Sequence, residues 1–192
     1  MKLLIATTNA GKCAELKDLL QNNGFEVVTP KEIGLVLDVE ESGLTYDENA
    51  LLKAKAFCQA SGLISMADDT GLEVDALGGR PGVYSARYAG SDVERRTKLL
   101  GELQIHPRPW KAHFHCSVAV AAPEADPRLF EGDVYGEITE QESGEFGFGY
   151  DRIFFIPEAG KTLADLALEE KNRFSHRAVA VKKAVEYLKE ML

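Results

Sequence analysis

Cysteine and positive charge are both scarce in this chain. Its three cysteines, Cys13, Cys58 and Cys116, are widely spaced and form no Cys-x-x-Cys pair. The sequence therefore argues against a disulfide framework and predicts free thiols in a reducing compartment. Lysine and arginine number 22 against 31 aspartates and glutamates, giving a net charge of −9. This charge argues against sequence-independent binding of nucleic acid, although a small anion can still bind in a locally positive pocket.

Long hydrophobic runs are missing as well. No apolar stretch is long enough to cross a bilayer, and the first apolar run is too short for a signal peptide. We therefore expect no membrane partner, no nucleic-acid polymer as a partner, and a cytoplasmic location. The Gly-x-x-x-x-Gly-Lys-Ser/Thr pattern of a Walker A loop is also absent from the sequence.

The length fits one large domain or a closely joined pair of domains. The 192 residues are 45% hydrophobic and 28% charged, which is ordinary for a globular protein that buries a core without disulfides. Strand-like and helical patterns alternate early in the chain, whereas residues 112–121 and 129–138 alternate like the two strands of an antiparallel hairpin. We predict an α/β fold in one domain, residues 1–192, with two lobes, a cleft between them and no separable linker.

The first polar turn is a candidate phosphate site. A buried strand is predicted over Leu3 to Ala6, and a helical pattern covers residues 15–20. Between them lie Thr7, Thr8, Asn9, Ala10, Gly11 and Lys12. A helix N-terminus offers N–H groups and the positive end of its dipole to an anion, and Lys12 adds a charge. The alternative is a turn without a ligand, in which Thr8 or Asn9 only caps the helix.

Two adjacent carboxylates follow the strand predicted over Ile64 to Ala67. Asp68 and Asp69, followed by Thr70, are expected beyond the carboxyl end of this strand, where open α/β sheets bind ligands. Neighbouring carboxylates repel each other unless a cation or a shared proton relieves them, and Mg²⁺ is the usual hard cation for oxygen ligands. The alternative is a turn in which Asp68 caps the backbone and Asp69 is solvated.

The segment before this strand carries further candidates. Residues 38–43 are acidic, and such a run is more often a solvated loop than a ligand set. A helix is predicted over Tyr46 to Ala60, opened by a capping box at Thr45. Asn49 and Lys53 share one face of this helix because they lie four residues apart. That face either meets a ligand or lies on the surface.

An aromatic, glycine-rich loop is predicted just before a strand over Ile153 to Ile156. It runs from Gly144 to Asp151 and interleaves three aromatic residues with glycines. Glycine lets the backbone approach a planar ring, and an aromatic side chain can stack on a base. The alternative is that the aromatic side chains only anchor the loop.

Cations cluster on two predicted helices. Around the start of the last helix lie Lys171, His176 and Arg177, a position that suits an anion or a carbonyl acceptor on a base. The apolar stripe of that helix is Val181, Val185, Leu188 and Leu192. On the helix predicted from Ser91 to about Leu103, the cations are Arg95, Arg96 and Lys98. They are more often a solvated face than a phosphate site.

Taken in chain order, these motifs resemble those of the Ham1/RdgB-like family of inosine triphosphate pyrophosphatases, also called dITP/XTP diphosphatases. The matching segments are residues 7–12, 40–43, 48–50, 67–72, 81–88, 148–151, and 171–172 with 175–177. They span nearly the whole chain, and seven motifs in order are specific although each alone is weak. One residue departs from the family pattern, because Arg152 follows Tyr-Asp where proline is usual.

The resemblance implies a fold, an assembly and an activity. The fold would be a two-lobed α/β structure with a long central mixed sheet flanked by helices and the active-site cleft between the lobes, and the assembly a homodimer. The activity would be Mg²⁺-dependent hydrolysis of ITP, dITP and XTP to the monophosphate and pyrophosphate, which removes these purine nucleotides from the nucleotide pool.

The resemblance also implies a role for each site residue. Asp69 would be the catalytic group that takes a proton from water, and the Mg²⁺ ligands would come from Glu40, Glu41, Asp68 and Asp69. Phe148 would stack on the base, and Lys171, His176 and Arg177 would read the purine and the sugar. The substrate contacts as a set would be Thr7, Thr8, Asn9, Ala10, Gly11, Lys12, Lys53, Thr70, Phe148, Gly149, Tyr150, Asp151, Lys171, His176 and Arg177.

Two other classes of protein fit parts of the pattern. One is a nucleotide-binding module without turnover, although a pure binder would not need Asp68, Asp69 and Lys12 together. The other is a related phosphohydrolase that acts on modified pyrimidines or releases the terminal phosphate. The identity of the products separates these classes.

Overall fold

The structure is a computed structural model that describes residues 1–191. The strands are β1 (Lys2–Ile5), β2 (Glu26–Val28), β3 (Ile64–Val74), β4 (Trp110–Ala121), β5 (Arg128–Ile138), β6 (Phe154–Ile156) and β7 (Lys161–Thr162). The α-helices are α1 (Ala10–Leu20), α2 (Tyr46–Ser61), α3 (Asp92–Leu103), α4 (Leu168–Lys171) and α5 (His176–Glu190). Short 3₁₀ turns cover Asp75–Leu77, Gly82–Arg87 and Leu163–Asp165. Leu192, assigned above to the apolar stripe of the last helix, lies outside the described residues.

Within residues 1–191, seven strands form one mixed sheet in the order β2-β1-β3-β4-β5-β6-β7. Strand β1 is parallel to β2 and β3, with Leu3 opposite Val27 and Ile64. Strand β6 is antiparallel to β5 and β7. The predicted α/β class with a long mixed sheet flanked by helices is confirmed, and β4 and β5 are neighbours, as the hairpin pattern required. The cleft remains a prediction.

Strand β3 is longer than the sequence indicated. It was expected to end at Ala67, but it continues through Asp68 and Asp69 to Val74. Adjacent strand residues point to opposite faces, so the two carboxylates lie on different sides of the sheet and not together in a turn. Both are buried inside the strand, and cations from elsewhere in the chain compensate them there.

The chain divides into two compact units. The first comprises Met1–Asp69, Cys116–Gly132 and the chain from His176 onward. Its core lies on both faces of β1. On one face Leu3 and Ile5 pack in a cluster that includes residues of α1 and α5, namely Leu16, Leu20, Ala180, Val181, Ala184 and Leu188. On the other face Leu4 packs in a cluster with Ala50, Ala54 and Phe57 of α2. The alternation follows from the two-residue period of a strand.

The second unit comprises Thr70–His115 and Asp133–Ser175. Its core combines strand aromatics with leucines of α3, namely Trp110, Phe114, Phe154, Leu99 and Leu103. The rings of Phe114 and Phe154 lie 4.7 Å apart and are tilted against each other, a favourable arrangement for two aromatic side chains. The one-domain organisation of residues 1–192 remains a prediction.

Local signals define the helices that lead to the site. Helix α1 is capped by Asn9, whose side chain accepts a hydrogen bond from the Lys12 backbone N–H at 3.0 Å. Helix α2 begins with the predicted capping box of Thr45 and Glu48. It ends at Ser61 and is followed by the capping residue Gly62, whose φ of 69° suits glycine. In the described part of the chain, no helix has the length and apolar character needed to span a membrane.

Candidate active site

The carboxylate of Asp68 is held by two cations. Asp68 is 1% exposed, and its Oδ2 lies 3.1 Å from Lys12 Nζ and 3.0 Å from Arg177 Nε. The guanidinium of Arg177, itself 1% exposed, also pairs with the buried carboxylate of Glu15. The first turn of α1, the middle of β3 and the start of α5 therefore meet in one buried ion-pair network.

These cations keep Asp68 ionised. Burial alone would raise the pKa of Asp68, but the positive charges of Lys12, Arg177 and Lys53 outweigh burial and hold its pKa far below the ordinary value. Burial would likewise lower the pKa of Arg177, and the carboxylates of Asp68 and Glu15 raise it instead. Asp68 is therefore a permanent negative charge at any physiological pH.

Asp69 has a different environment because it points to the other side of the sheet. Its Oδ2 accepts a hydrogen bond from Asn49 Nδ2 at 3.2 Å, and its Oδ1 lies 3.4 Å from Lys53 Nζ. Lys53 Nζ also lies 2.5 Å from Glu41 Oε1. The face of α2 that carries Asn49 and Lys53 is thus directed at Asp69, and contact of this face with a ligand remains a prediction.

Burial dominates the protonation of Asp69. It raises the pKa of this carboxyl, and the opposing charges of Lys53 and Lys12 do not cancel the effect. The pKa of Lys53 is also raised, because the negative charges of Asp69, Asp68 and Glu41 outweigh the effect of its burial. The pKa values of these two adjacent carboxyl groups are therefore shifted in opposite directions.

The predicted metal ligands are only partly brought together. Across residues 1–191, no group of three or more His, Cys, Asp or Glu side chains is arranged to hold a metal ion, so the four predicted carboxylates do not form one cluster. Glu41 and Asp69 converge on a single cationic group, the ammonium of Lys53, whereas Glu40 is exposed. Two carboxylates directed at one cation fit a hard divalent ion that takes its other ligands from phosphate and water.

The first polar turn lies next to this network. Thr7 is half-buried, Thr8, Asn9 and Ala10 are exposed, and Gly11 and Lys12 lie in the first turn of α1. The hydroxyl of Thr7 accepts the Asn9 backbone N–H at 3.2 Å. The turn combines an open surface with a helix N-terminus and the ammonium of Lys12, a combination suited to an anion.

The predicted aromatic loop, in the second unit, is organised by Asp151. The buried carboxylate of Asp151 accepts hydrogen bonds from the Phe148 backbone N–H at 2.8 Å and from Lys171 Nζ at 2.6 Å. Lys171 Nζ lies 5.2 Å from the centre of the Phe148 ring, within cation–π range. The hydroxyl of Tyr150 donates to the Ser85 carbonyl at 3.0 Å. Phe148, Asp151 and Lys171 therefore form a second polar group with an aromatic face.

The basic residues of the last motif lie on two different helices. Lys171 ends the four-residue helix α4, which the sequence did not predict, and belongs to the second unit with Asp151. His176 and Arg177 begin α5, are buried and belong to the first unit. Thr70, the residue after Asp69, is half-buried in β3. The substrate contacts assigned to these residues remain predictions.

Two buried charged residues that contact predicted site residues were not identified from the sequence. Glu15 was visible only as an acidic residue within the helical pattern of apolar positions, which is a weak signal for a buried ion pair. Arg96 was assigned to a solvated face, and that assignment is wrong. It is 5% exposed and donates to Glu142 and to the Gly149 carbonyl. Its partners lie 46 and 53 residues away, so no local pattern could identify them.

Fold and site together define an α/β protein with a seven-stranded mixed sheet. Its strand β3 carries two buried carboxyl groups whose pKa values are shifted in opposite directions. A model of the Ham1 family matches residues 3–187. A solved structure of the Staphylococcus aureus Ham1 protein has a TM-score of 0.87 and 39% identity, and the match covers all of both chains. A HAM1 protein from Coxiella burnetii has a TM-score of 0.88 and 37% identity over 99% of both chains.

Curated relatives agree with these structures. A protein of Bacillus subtilis named dITP/XTP pyrophosphatase is 46% identical over 189 residues, which is 96% of each chain. A protein of Yersinia pseudotuberculosis with the same name is 48% identical over 195 residues, 98% of each chain. This chain belongs to the Ham1 family, and the resemblance drawn from its motifs is confirmed.

Proposed function

We propose that this chain hydrolyses the non-canonical purine nucleoside triphosphates ITP, dITP and XTP to the monophosphate and pyrophosphate. The observation that carries the proposal is the pair Asp68 and Asp69, adjacent on one strand with pKa values moved in opposite directions. A relative that shares nearly the whole chain is named for dITP and XTP pyrophosphatase activity, which supports the same substrate class here.

The triphosphate end of the substrate binds at the first turn of α1. The turn from Thr7 to Lys12 offers backbone N–H groups at a helix N-terminus. Lys12 and Lys53 supply two ammonium groups, which are balanced by Asp68, Asp69 and Glu41 before the substrate arrives. These carboxylates hold each lysine ammonium group in place before the substrate binds. The polyphosphate can then replace the carboxylates as the partner of the lysines.

Asp69 is the proton acceptor for the attacking water. The water oxygen forms a bond to phosphorus, the bridging bond between the α- and β-phosphates breaks, and the proton of the water passes to the Asp69 carboxylate. A raised pKa makes this carboxylate a better base than an exposed aspartate. Asn49 and Lys53, which contact its two oxygens, orient it towards the water.

Mg²⁺ is the cofactor that fits the carboxylates. Glu41 and Asp69 are the residues directed at a shared cationic point, and Asp68 is the additional carboxylate of the predicted set. A bound Mg²⁺ would supply neutralisation of phosphate charge and a lowered pKa for water. The permanent negative charge of Asp68 keeps Lys12 and Arg177 in position whether or not the ion is bound.

The base is recognised by the aromatic loop. Phe148 offers a ring for stacking, and Lys171 lies beside that ring as a hydrogen-bond donor. Inosine and xanthine carry a carbonyl oxygen at position 6 where adenine carries an amino group. A cationic donor satisfies the oxygen but opposes the amine, and buried groups left unsatisfied produce strong discrimination.

The remaining features of the proposal come from the family resemblance. The protein would be a cytoplasmic homodimer, and residues 1–192 would act as one nucleoside-triphosphate pyrophosphatase domain. Size-exclusion chromatography with light scattering tests the dimer directly.

A panel of nucleotides tests the activity. The purified protein is incubated with Mg²⁺ and ITP, dITP, XTP, ATP, GTP or dUTP, and the monophosphate formed is quantified by chromatography. Turnover of the first three with little of the others is the expected result. Equal turnover of all six would remove the selectivity, and binding of ITP without turnover would make the chain a nucleotide-binding module.

A further inference from the structure

Two side chains of helix α3 form hydrogen bonds with the backbone of one residue in the aromatic loop. Asp92 and Arg96 lie one helical turn apart, and both contact Gly149. The Gly149 backbone N–H donates to Asp92 Oδ2 at 2.8 Å, and the Gly149 carbonyl accepts from a terminal guanidinium nitrogen of Arg96 at 2.7 Å. Both hydrogen-bonding groups of a single loop residue are thus satisfied by charged side chains of the same helix.

A carboxylate fixes the guanidinium of Arg96 that donates to this carbonyl. Glu142 accepts two hydrogen bonds from Arg96, at 2.7 and 3.2 Å, which is the paired geometry that fixes a guanidinium most firmly. Arg152 Nη1 lies 3.6 Å from Glu142 Oε2, the oxygen that also accepts the longer of these two hydrogen bonds.

Gly149 is conformationally flexible because it has no side chain. Gly149 has a φ of 63° and Gly147 a φ of 73°, both in the left-handed region that glycine enters freely. Phe148 lies between these two glycines, and its backbone N–H is fixed by Asp151. The direction of the Phe148 ring therefore depends on the contacts that hold the backbone around it, and α3 supplies those at Gly149, on its C-terminal side.

We propose that Asp92 and Arg96 are positioning residues that hold the loop around Gly149 so that Phe148 meets the purine base. We call the two contacts of Asp92 and Arg96 with Gly149 the clamp. The clamp is a feature of the fold, and its consequence for the base rests on the function proposed above. Neither residue touches the reacting atoms, so the clamp should act on nucleotide binding and not on the chemical step.

Hydrogen exchange measured by mass spectrometry tests the clamp without any assay of activity. In Arg96→Met, and independently in Asp92→Ala, the peptide that contains residues 144–152 should exchange about tenfold faster, because each variant removes a charge-assisted hydrogen bond to Gly149. Lys98→Met is the matched control. Lys98 is an exposed cation of the same helix that donates to the Tyr88 carbonyl at 3.1 Å, and its loss should leave the loop unchanged.

Kinetics with ITP test the consequence for the base. The KM should rise about tenfold in Arg96→Met while kcat stays near the wild-type value, because the lost interaction acts on binding. Inhibition by tripolyphosphate, which has phosphates but no base, should be unchanged. Arg96→Lys keeps one hydrogen-bond donor, so its KM for ITP should lie between those of the wild type and Arg96→Met. A purely structural role would lower the melting temperature and the active fraction without moving KM.

The possible failures are distinguishable. Unchanged exchange in both variants would overturn the clamp. Faster exchange with an unchanged KM would overturn the positioning role while leaving the proposed activity intact. If the wild-type protein hydrolyses no nucleotide, the proposed function fails, and the exchange data still decide whether α3 holds the loop.

Discussion

Replacing Arg177 with methionine should destabilise the protein strongly. The guanidinium is fully buried between the carboxylates of Asp68 and Glu15, and methionine fills much of its volume without its charge. Asp68 would keep Lys12 as a partner, but the two buried carboxylates would share less positive charge. Removing one partner of a buried ion pair costs about 3–5 kcal/mol, so we expect a loss of that size in the free energy of unfolding at neutral pH.

The loss should shrink in acid. The folded pKa of Asp68 lies below its ordinary value of 3.8, so the ion pair stabilises the fold fully above that pH and progressively less as the pH falls towards the lower folded value. Arg177 stays charged throughout, because its own pKa is raised. The difference between wild type and variant should therefore be largest at neutral pH and smaller at about pH 3.

Urea unfolding followed by circular dichroism, at both pH values, measures this difference. Arg177→Lys is the first control and should recover part of the stability because it retains a charge. Lys17→Met is the second, since Lys17 pairs with Glu32 in solvent at 2.7 Å and exposed pairs contribute little. A loss below about 1 kcal/mol for Arg177→Met, or a loss that does not change with pH, would refute the reasoning.

Three further predictions concern the proposed catalytic base, the proposed metal and a helix cap. At neutral pH, Asp69→Asn should melt at the same temperature as the wild type or at a higher one. Burial raises the pKa of Asp69, so ionisation of this carboxyl destabilises the fold as the pH rises, and asparagine does not ionise. A clearly lower melting temperature would contradict this prediction. EDTA should abolish ITP turnover and added Mg²⁺ should restore it; full activity in EDTA would exclude the metal. Thr45→Ala should lower the free energy of unfolding by about 1 kcal/mol through loss of the capping box, with kcat unchanged; an unchanged unfolding curve would contradict the cap.

The local elements were predictable because their signals are local. The side chain of Thr45 and that of Glu48 form a reciprocal cap over three residues, and any helix that begins there will use them. The same holds for Asn9, which caps α1 through the Lys12 N–H. Burial on both faces of β1 is equally visible as a short apolar run.

The end of β3 was not predictable in this way. A strand pattern was expected to stop at Ala67 because two carboxylates followed, and isolated charges are costly to bury. The strand continues because cations that lie far away in sequence compensate Asp68, the most distant being Arg177 at a separation of 109 residues. A pattern within a short window contains no information about such partners.

The assignment of Arg96 failed for a related reason. On a helix with three neighbouring cations, periodicity indicates a polar face but not whether tertiary structure covers that face. The loop at Gly149 and the carboxylate of Glu142 cover Arg96. Motif order, by contrast, identified the family correctly, because it integrates weak signals along nearly the entire chain.

The products formed from ITP test the central claim most directly. Wild-type protein with Mg²⁺ should release inosine monophosphate and pyrophosphate in equal amounts and no orthophosphate. Asp69→Asn, shown to be folded by circular dichroism, should release neither. Orthophosphate with inosine diphosphate would place the cut at the terminal phosphate, and undiminished pyrophosphate from Asp69→Asn would remove Asp69 as the proton acceptor; either result would contradict the proposed mechanism.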